Sequence, residues 1–383
     1  YLVNLKEYEK ANEFIAKYEA VHGIQTSSKI IRARIALAKS DYGKVLDILE
    51  HKFLKLNKHS HYISGRALEG MGRYSEAFDS FQMAGADKSK GYVALRKLDA
   101  VKNYPYCIDN LKARFTEPLL SKNPENGFKH VFNFGFPRSG TTLLDNILDT
   151  QENIVMLSEE PTIYYVVRAI KSKLKKRYPL DIHTLTDGEL AELREIYFDT
   201  IKGLGIELPS KGGALIDKSP HNTIHLPLIK MLFPESKFIV SLRHPLAVCL
   251  SCIQQNFVKS ITNSFLTTIE DTVERYVNVF SLLEKFQCDL GIECYQLRYE
   301  DLVDNIESEM VKIFKFIGIS HTNSYIDFHM HASNKYVTSA SRGQTDKPLY
   351  EGSKEKWKFY REHLEPFFPK IDYFSEKYGY SLD

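Results

Sequence analysis

This 383-residue sequence is poor in the features that usually place a chain quickly. It has five cysteines, an odd number in a long chain, which excludes the disulfide framework of a small secreted scaffold. Cys249 and Cys252 form a CxxC, but no second such pair and no suitable histidine pair follows, so both are expected to be core thiols. No apolar run reaches the length of a membrane span and no signal-like segment opens the chain, so a cytoplasmic location is expected. Neither charge dominates: Lys+Arg 51 stand against Asp+Glu 49, which gives no sign of a nucleic-acid partner. The one basic cluster, residues 171–177, is expected to be a solvated helix face. What is present is ordinary globular composition, 43% hydrophobic and 26% charged, in a chain too long for one small core. Two domains are therefore expected.

The first 125 residues carry an internal repeat. LKEYEKANEFI, KSDYGKVLDIL and GMGRYSEAFDSF align on the anchors Tyr8/Ala11/Ile15, Tyr42/Val45/Leu49 and Tyr74/Ala77/Phe81, with the tyrosines 34 and 32 residues apart. An aromatic, a small or branched residue and an apolar residue at this spacing resemble the tetratricopeptide repeat, a helix–turn–helix unit of about 34 residues. The resemblance implies an all-α solenoid with a concave groove for a protein or peptide partner. The first copy opens mid-unit and the chain begins at Tyr1, so earlier repeats are expected to precede it. Pro, Asn and Gly between Thr116 and Gly127 mark the expected boundary, giving a helical domain over 1–125 and a second domain over 126–383.

In the second part short β-type runs alternate with helical patterns. Strands are expected at Val131–Phe134, Ile154–Leu157, Ala214–Ile216, Lys237–Leu242 and Glu293–Leu297, with helices between them. That alternation predicts a parallel α/β sheet flanked by helices, which binds ligands at the carboxyl ends of its strands. Arg138, Lys218, Arg243 and Tyr299 all fall at those ends.

The first strand runs into Gly135-Phe136-Pro137-Arg138-Ser139-Gly140 and then a helix. A strand, a glycine-bounded turn and a helix N-terminus make an anion cradle. The nucleotide-triphosphatase loop GxxxxGK[ST] needs lysine where this chain has Thr141, and no acidic strand end has Walker-B character. The cation sits inside the loop instead, as Arg138, which suits a single terminal phosphate better than a triphosphate. A P-loop kinase or NTPase remains as an alternative reading, and a non-enzymatic protein working through its repeats is another.

The segment 135–144 resembles the 5′-phosphosulfate loop of the sulfotransferases that use 3′-phosphoadenosine 5′-phosphosulfate (PAPS). Phe238 to Ser251, with Arg243 at a strand end and Ser251 eight residues on, is similar to that family's 3′-phosphate segment. Asp217-Lys218-Ser219-Pro220, the run from Leu297 to Val303, and the segment 341–350 agree with it, as does a likeness to the tyrosylprotein sulfotransferases. The resemblance implies sulfuryl transfer from PAPS to a hydroxyl acceptor (a peptide tyrosine, a glycan or a small molecule), leaving adenosine 3′,5′-bisphosphate, with no metal. It implies that Ser139, Gly140, Thr141, Thr142 and Leu143 hold the 5′-phosphate and that Arg243 and Ser251 hold the 3′-phosphate. Tyr299 and Ser341 would complete the cofactor site, and Lys218 and Arg138 would stabilise the leaving oxygen. The general base would be an acid of Ser158-Glu159-Glu160. Counting from Arg138 favours Glu159, the tyrosylprotein pattern favours Glu160, and Glu159 is preferred. His221 and His225 are expected to be structural. The single tryptophan, Trp357, is expected either near the adenine or packed on the surface of a C-terminal helix.

Overall fold

A computed structural model describes residues 3, 7–50, 58–116, 127–328 and 354–383. These form two compact units, each assembled from several stretches of chain. One gathers Tyr1–Leu98, Cys249–Arg275 and Glu355–Lys370; the other gathers Asp99–Val248, Tyr276–Lys354 and Ile371–Asp383. They are not the two halves of a chain cut once after residue 125: the helix Ile108–Thr116 groups with the sheet, and two later stretches group with the repeats.

The first unit is helical. Tyr8–His22, Thr26–Ala38, Tyr42–Leu49, Lys58–Gly70 and Tyr74–Lys90 follow in order. Ala11, Ile15, Val45, Leu49, Ala77 and Phe81 are all buried, so the repeated anchors are the positions at which helices meet. Two turns repeat as well. Ser40 and Gly72 both have positive φ, and the next residues, Asp41 and Arg73, donate their N–H groups to Ala36 O and Leu68 O, which satisfies carbonyls left over at a helix C-terminus. Side chains explain why residues 249–275 and 355–370 belong here. Arg96 pairs with Asp271 and donates to Ser264 O at 2.6 Å, and Tyr360 donates to Glu69 at 2.7 Å. Gly85 lies so close to the Thr267 carbonyl that a Cβ would sit 1.8 Å from it. Trp357 is buried in this unit, in the short helix Lys356–Tyr360, and is not a surface residue. Cys252 is fully buried here, as is Cys249 on the same helix, Pro245–Ile253.

The second unit is built on five parallel strands: β1 (Lys129–Gly135), β2 (Ile154–Ser158), β3 (Ala214–Lys218), β4 (Lys237–Leu242) and β5 (Tyr295–Arg298), in the order β2-β3-β1-β4-β5. Alternation along β1 sorts its side chains onto two faces. Val131 joins a cluster with Leu144 and Ile147 of the helix Thr141–Leu148 and with Ile313 and Phe314 of the helix Ile306–Ile317. His130 and Phe132 face an aromatic layer that includes Tyr197 and Phe233. Each fully buried apolar side chain here, Val131 and Phe132 among them, contributes roughly 1.5–3 kcal/mol, which is how a central strand holding the polar Asn133 stays in place. The sheet changes winding direction beside β1, because the chain turns to β2 and β3 on one side and to β4 and β5 on the other. In an open parallel sheet that switch point is where a crevice forms for ligands.

Candidate active site

The carboxyl ends of the five strands bring most of the expected residues to one edge of this unit. β1 ends in the loop 136–140, and the helix Thr141–Leu148 starts directly from Gly140. Thr223 ties the strand end from behind, taking the Gly135 N–H at 3.2 Å and donating to Gly135 O at 2.6 Å. Arg138 has φ 76 and Gly140 has φ 96. At 140 any side chain would be strained, and a Cβ would also lie 2.6 Å from the Tyr299 ring. Tyr299 thus closes over the loop. The Arg243 guanidinium lies 4.7 Å from the Tyr299 ring centre and donates to Arg138 O at 3.2 Å. The ends of β1, β4 and β5 are therefore cross-linked through two arginines and one tyrosine.

Not all of the expected backbone donors face outward. The Ser139 N–H donates to Phe136 O and the Leu143 N–H to Gly140 O, at 3.0 and 2.9 Å. The Gly140, Thr141 and Thr142 N–H groups, at the start of the helix, are the ones left to face an anion. The Ser139 hydroxyl is buried and has no hydrogen-bond partner among the described residues.

On the other side of β1, Lys218 ends β3 in register with Ser158 at the end of β2 and Asn133 of β1. Its side chain is 1% exposed, and its ammonium lies 3.0 Å from Glu159 Oε1 and 3.4 Å from Asp145 Oδ2. Burial alone would push Lys218 down, but the Asp145 and Glu159 carboxylates outweigh it and hold the ammonium above its ordinary range. Burial raises the Asp145 carboxyl despite Lys218 and the 2.6 Å bond from the Ser158 hydroxyl. Glu159 reaches Lys218 because its backbone is left-handed, φ 65, with its N–H on Lys218 O at 2.8 Å. Two of the four described non-glycine residues with positive φ are thus Arg138 and Glu159, and strain of this kind collects at functional sites. Burial raises the Asp217 carboxyl, with a smaller upward push from the charge of Glu160, the next residue after Glu159.

Asp217 points to the opposite face of β3. It accepts from Thr162 Oγ1 at 2.7 Å and from Tyr197 OH at 3.0 Å, and burial pushes it up to about 6. Because Tyr197 gives its one proton to Asp217, it must accept from His130 Nε2, 2.9 Å away, so His130 is the neutral Nε2–H tautomer. Burial lowers His130 to about 3, which keeps the ring neutral.

Three expected features stand apart. Ser251 lies on the helix Pro245–Ile253 but in a stretch belonging to the other unit, so its assignment rests on sequence spacing. Ser341, with the rest of the segment 341–350, falls outside the described residues. The basic cluster 171–177 is largely exposed and paired with local acids, Lys176 with Glu189 and Arg177 with Asp181 among them. Among described residues no helix is long and apolar enough to cross a membrane. His225 Nδ1 and Tyr178 OH share a hydrogen bond of 2.6 Å, a packing role. Asp145 and Thr223 were not expected. A lone acid four residues after Thr141 in the apolar helix TTLLDNIL was the available signal for Asp145.

A profile of the Sulfotransferase family matches residues 130–323, more than half of the chain, and the chain belongs to that family. An uncharacterized protein of Aquifex aeolicus (strain VF5) is 28% identical over 269 residues, which are 68% of this chain and 33% of that protein. Protein-tyrosine sulfotransferase 2 of Gallus gallus is 27% identical over 205 residues, 51% of this chain and 53% of that one. The chain thus spans between a third and about half the length of these two relatives. Among solved structures, the sulfotransferase domain of the Synechococcus PCC 7002 olefin synthase aligns with 62% of this chain and 90% of its own, at 18% identity and a TM-score of 0.40.

Proposed function

We propose that this sulfotransferase takes its sulfuryl group from PAPS and passes it to a hydroxyl acceptor, a peptide tyrosine being the acceptor that the chicken relative's name favours. The observation that carries the reading is the buried Lys218 ammonium, held between Glu159 and Asp145 beside a helix-capped anion loop. The loop fits a bound phosphate on its own chemistry. It offers the Gly140, Thr141 and Thr142 N–H groups, the Thr141 and Thr142 hydroxyls and the buried Ser139 hydroxyl, with Arg138 alongside. Leu143 contributes packing rather than a donor, since its N–H is engaged. Arg243 and Tyr299 would hold the 3′-phosphorylated end, with Ser251 and Ser341 assigned there by sequence alone.

When bound, PAPS supplies an activated sulfuryl group. The chain's own residues then have two tasks. Glu159, the carboxylate that reaches Lys218, would take the proton of the acceptor hydroxyl, and Glu160 is the second candidate for that role. Lys218 and Arg138 would set positive charge where the departing oxygen becomes negative, and the burial of Lys218 away from water strengthens its effect. The bond from Lys218 holds the Glu159 carboxylate in place before an acceptor arrives. The helices of the first unit are proposed as a tetratricopeptide array presenting a groove to a protein or peptide partner, which the burial of all six non-tyrosine anchors supports.

The test is calorimetric titration of the full chain with adenosine 3′,5′-bisphosphate, followed by transfer of labelled sulfate from PAPS to tyrosine peptides, glycans and phenols. Binding that is lost in Arg138→Ala is expected, with tyrosine peptides as the preferred acceptors. A wild-type chain that does not bind the bisphosphate would overturn the donor assignment.

A further inference from the structure

Arg243 is held from two sides by neighbouring residues of one short helix, Tyr299–Asp304. Tyr299 stacks on its guanidinium. Glu300 acts on its backbone: Oε1 accepts the N–H of His244, the residue after Arg243, at 3.0 Å. That amide fixes the peptide plane leaving Arg243, and the following residue, Pro245, has no N–H of its own to offer. Glu300 is held in turn. Its Oε2 accepts from Tyr380 OH at 2.9 Å, and the Arg298 guanidinium lies 4.5 Å from the Tyr380 ring centre. The next residue completes the arrangement, because His244 Nε2 donates to Ser381 O at 2.8 Å. His244 and Tyr380 are both buried, with ring centres 5.5 Å apart. Residues 379–381 therefore act as a strap across the ends of β4 and β5, and all of these contacts lie within one unit.

We propose that Glu300 and Tyr380 are positioning residues for Arg243: they set the arginine's approach to the 3′-phosphate of the donor without touching it. This rests on the donor assignment above. A carboxylate accepting a backbone N–H is among the stronger hydrogen bonds, and its loss lets the strand end relax. The effect is selective. It falls on a ligand that carries a 3′-phosphate and spares one that does not.

The experiment compares two probes on the full chain, adenosine 3′,5′-bisphosphate and adenosine 5′-monophosphate, by calorimetry, with Glu300→Ala, Glu300→Gln, Tyr380→Phe and Arg243→Ala. Glu300→Ala is expected to weaken the bisphosphate about tenfold or more and Tyr380→Phe about three- to tenfold, while the monophosphate changes less than about twofold. Glu300→Gln keeps an oxygen for the His244 N–H and is expected to recover most of the loss. In steady-state assays the same variants should raise KM for the donor and leave KM for the acceptor unchanged. If Glu300→Ala does not fold, Tyr380→Phe carries the comparison. Equal weakening of both probes would reduce these residues to general packing and overturn the proposal. So would Glu300→Ala and Tyr380→Phe variants that bind like wild type while Arg243→Ala loses the bisphosphate, and that result would leave the donor assignment standing. Failure of the wild type to bind the bisphosphate would instead remove the donor assignment itself.

Discussion

Asp217→Asn should change how the stability of the sheet unit responds to pH, and the change can be worked out from two buried groups sharing Tyr197. Asp217 is raised from its ordinary 3.8 to about 6. Between about pH 4 and pH 6 the folded state holds a proton that the unfolded chain has released. Its contribution therefore falls as pH rises through that window, by about 1.4 kcal/mol per unit and roughly 3 kcal/mol in all. His130 is lowered from 6.5 to about 3, so the unfolded chain binds the extra proton and stability rises with pH, also by about 1.4 kcal/mol per unit. Over about pH 4 to 6 the two slopes cancel in the wild type. The amide introduced by Asp217→Asn would keep an oxygen for Thr162 and Tyr197 and carry no charge, so the variant should expose the His130 slope alone. The difference between variant and wild type should be near zero at about pH 4 and grow to about 3 kcal/mol in the variant's favour at about pH 7. Hydrogen exchange on peptides covering residues 129–135 and 214–218, corrected for the intrinsic pH dependence of exchange, reports on this unit directly. Trp357 fluorescence does not, because that residue belongs to the other unit. A difference that stays constant across this range would refute the upward shift of the Asp217 carboxyl.

Three further substitutions bear on the site. Glu159→Gln should lower kcat by about 10² or more with little change in bisphosphate affinity, whereas Glu160→Gln should cost less than about tenfold; the reverse order in a sulfate-transfer assay would move the base to Glu160. Gly140→Ala forces a side chain into φ 96 and against Tyr299. It should destabilise the sheet unit by about 1–3 kcal/mol in the same exchange experiment and weaken bisphosphate binding about tenfold by calorimetry.

The strands and the anion loop were legible because their signals are local. β-branched and aromatic runs bounded by turn residues pointed to all five strands; β4 was bounded to the residue, and β3 ran two residues further, to Lys218. Equally local is the start of the helix Asp187–Gly203, a capping box in which Glu189 accepts the Thr186 N–H at 2.8 Å. The helix after Pro161 stops at Ser172, because the chain turns there and Lys175 takes a left-handed conformation. Sequence counting favoured Glu159 over Glu160 only weakly, and the left-handed φ of Glu159 that brings it to Lys218 has no local signal in the chain. Asp145, Glu300 and Tyr380 were illegible for a different reason. Their partners are 73, 56 and 80 residues away in the chain, and no periodic pattern encodes such a meeting. The grouping of residues 249–275 and 355–370 with the repeats was hidden in the same way: the Tyr360–Glu69 bond spans 291 positions.

That grouping has a consequence for how the protein can be recombined. The helical unit is threaded through the sequence in three pieces, so no single crossover, natural or engineered, can exchange it whole for another array. A chimera joined once near residue 125 would inherit one parent's Glu69, Gly85 and Arg96 and the other parent's Tyr360, Thr267 and Asp271. A library that varies the helical unit should therefore carry all three segments as one inherited block.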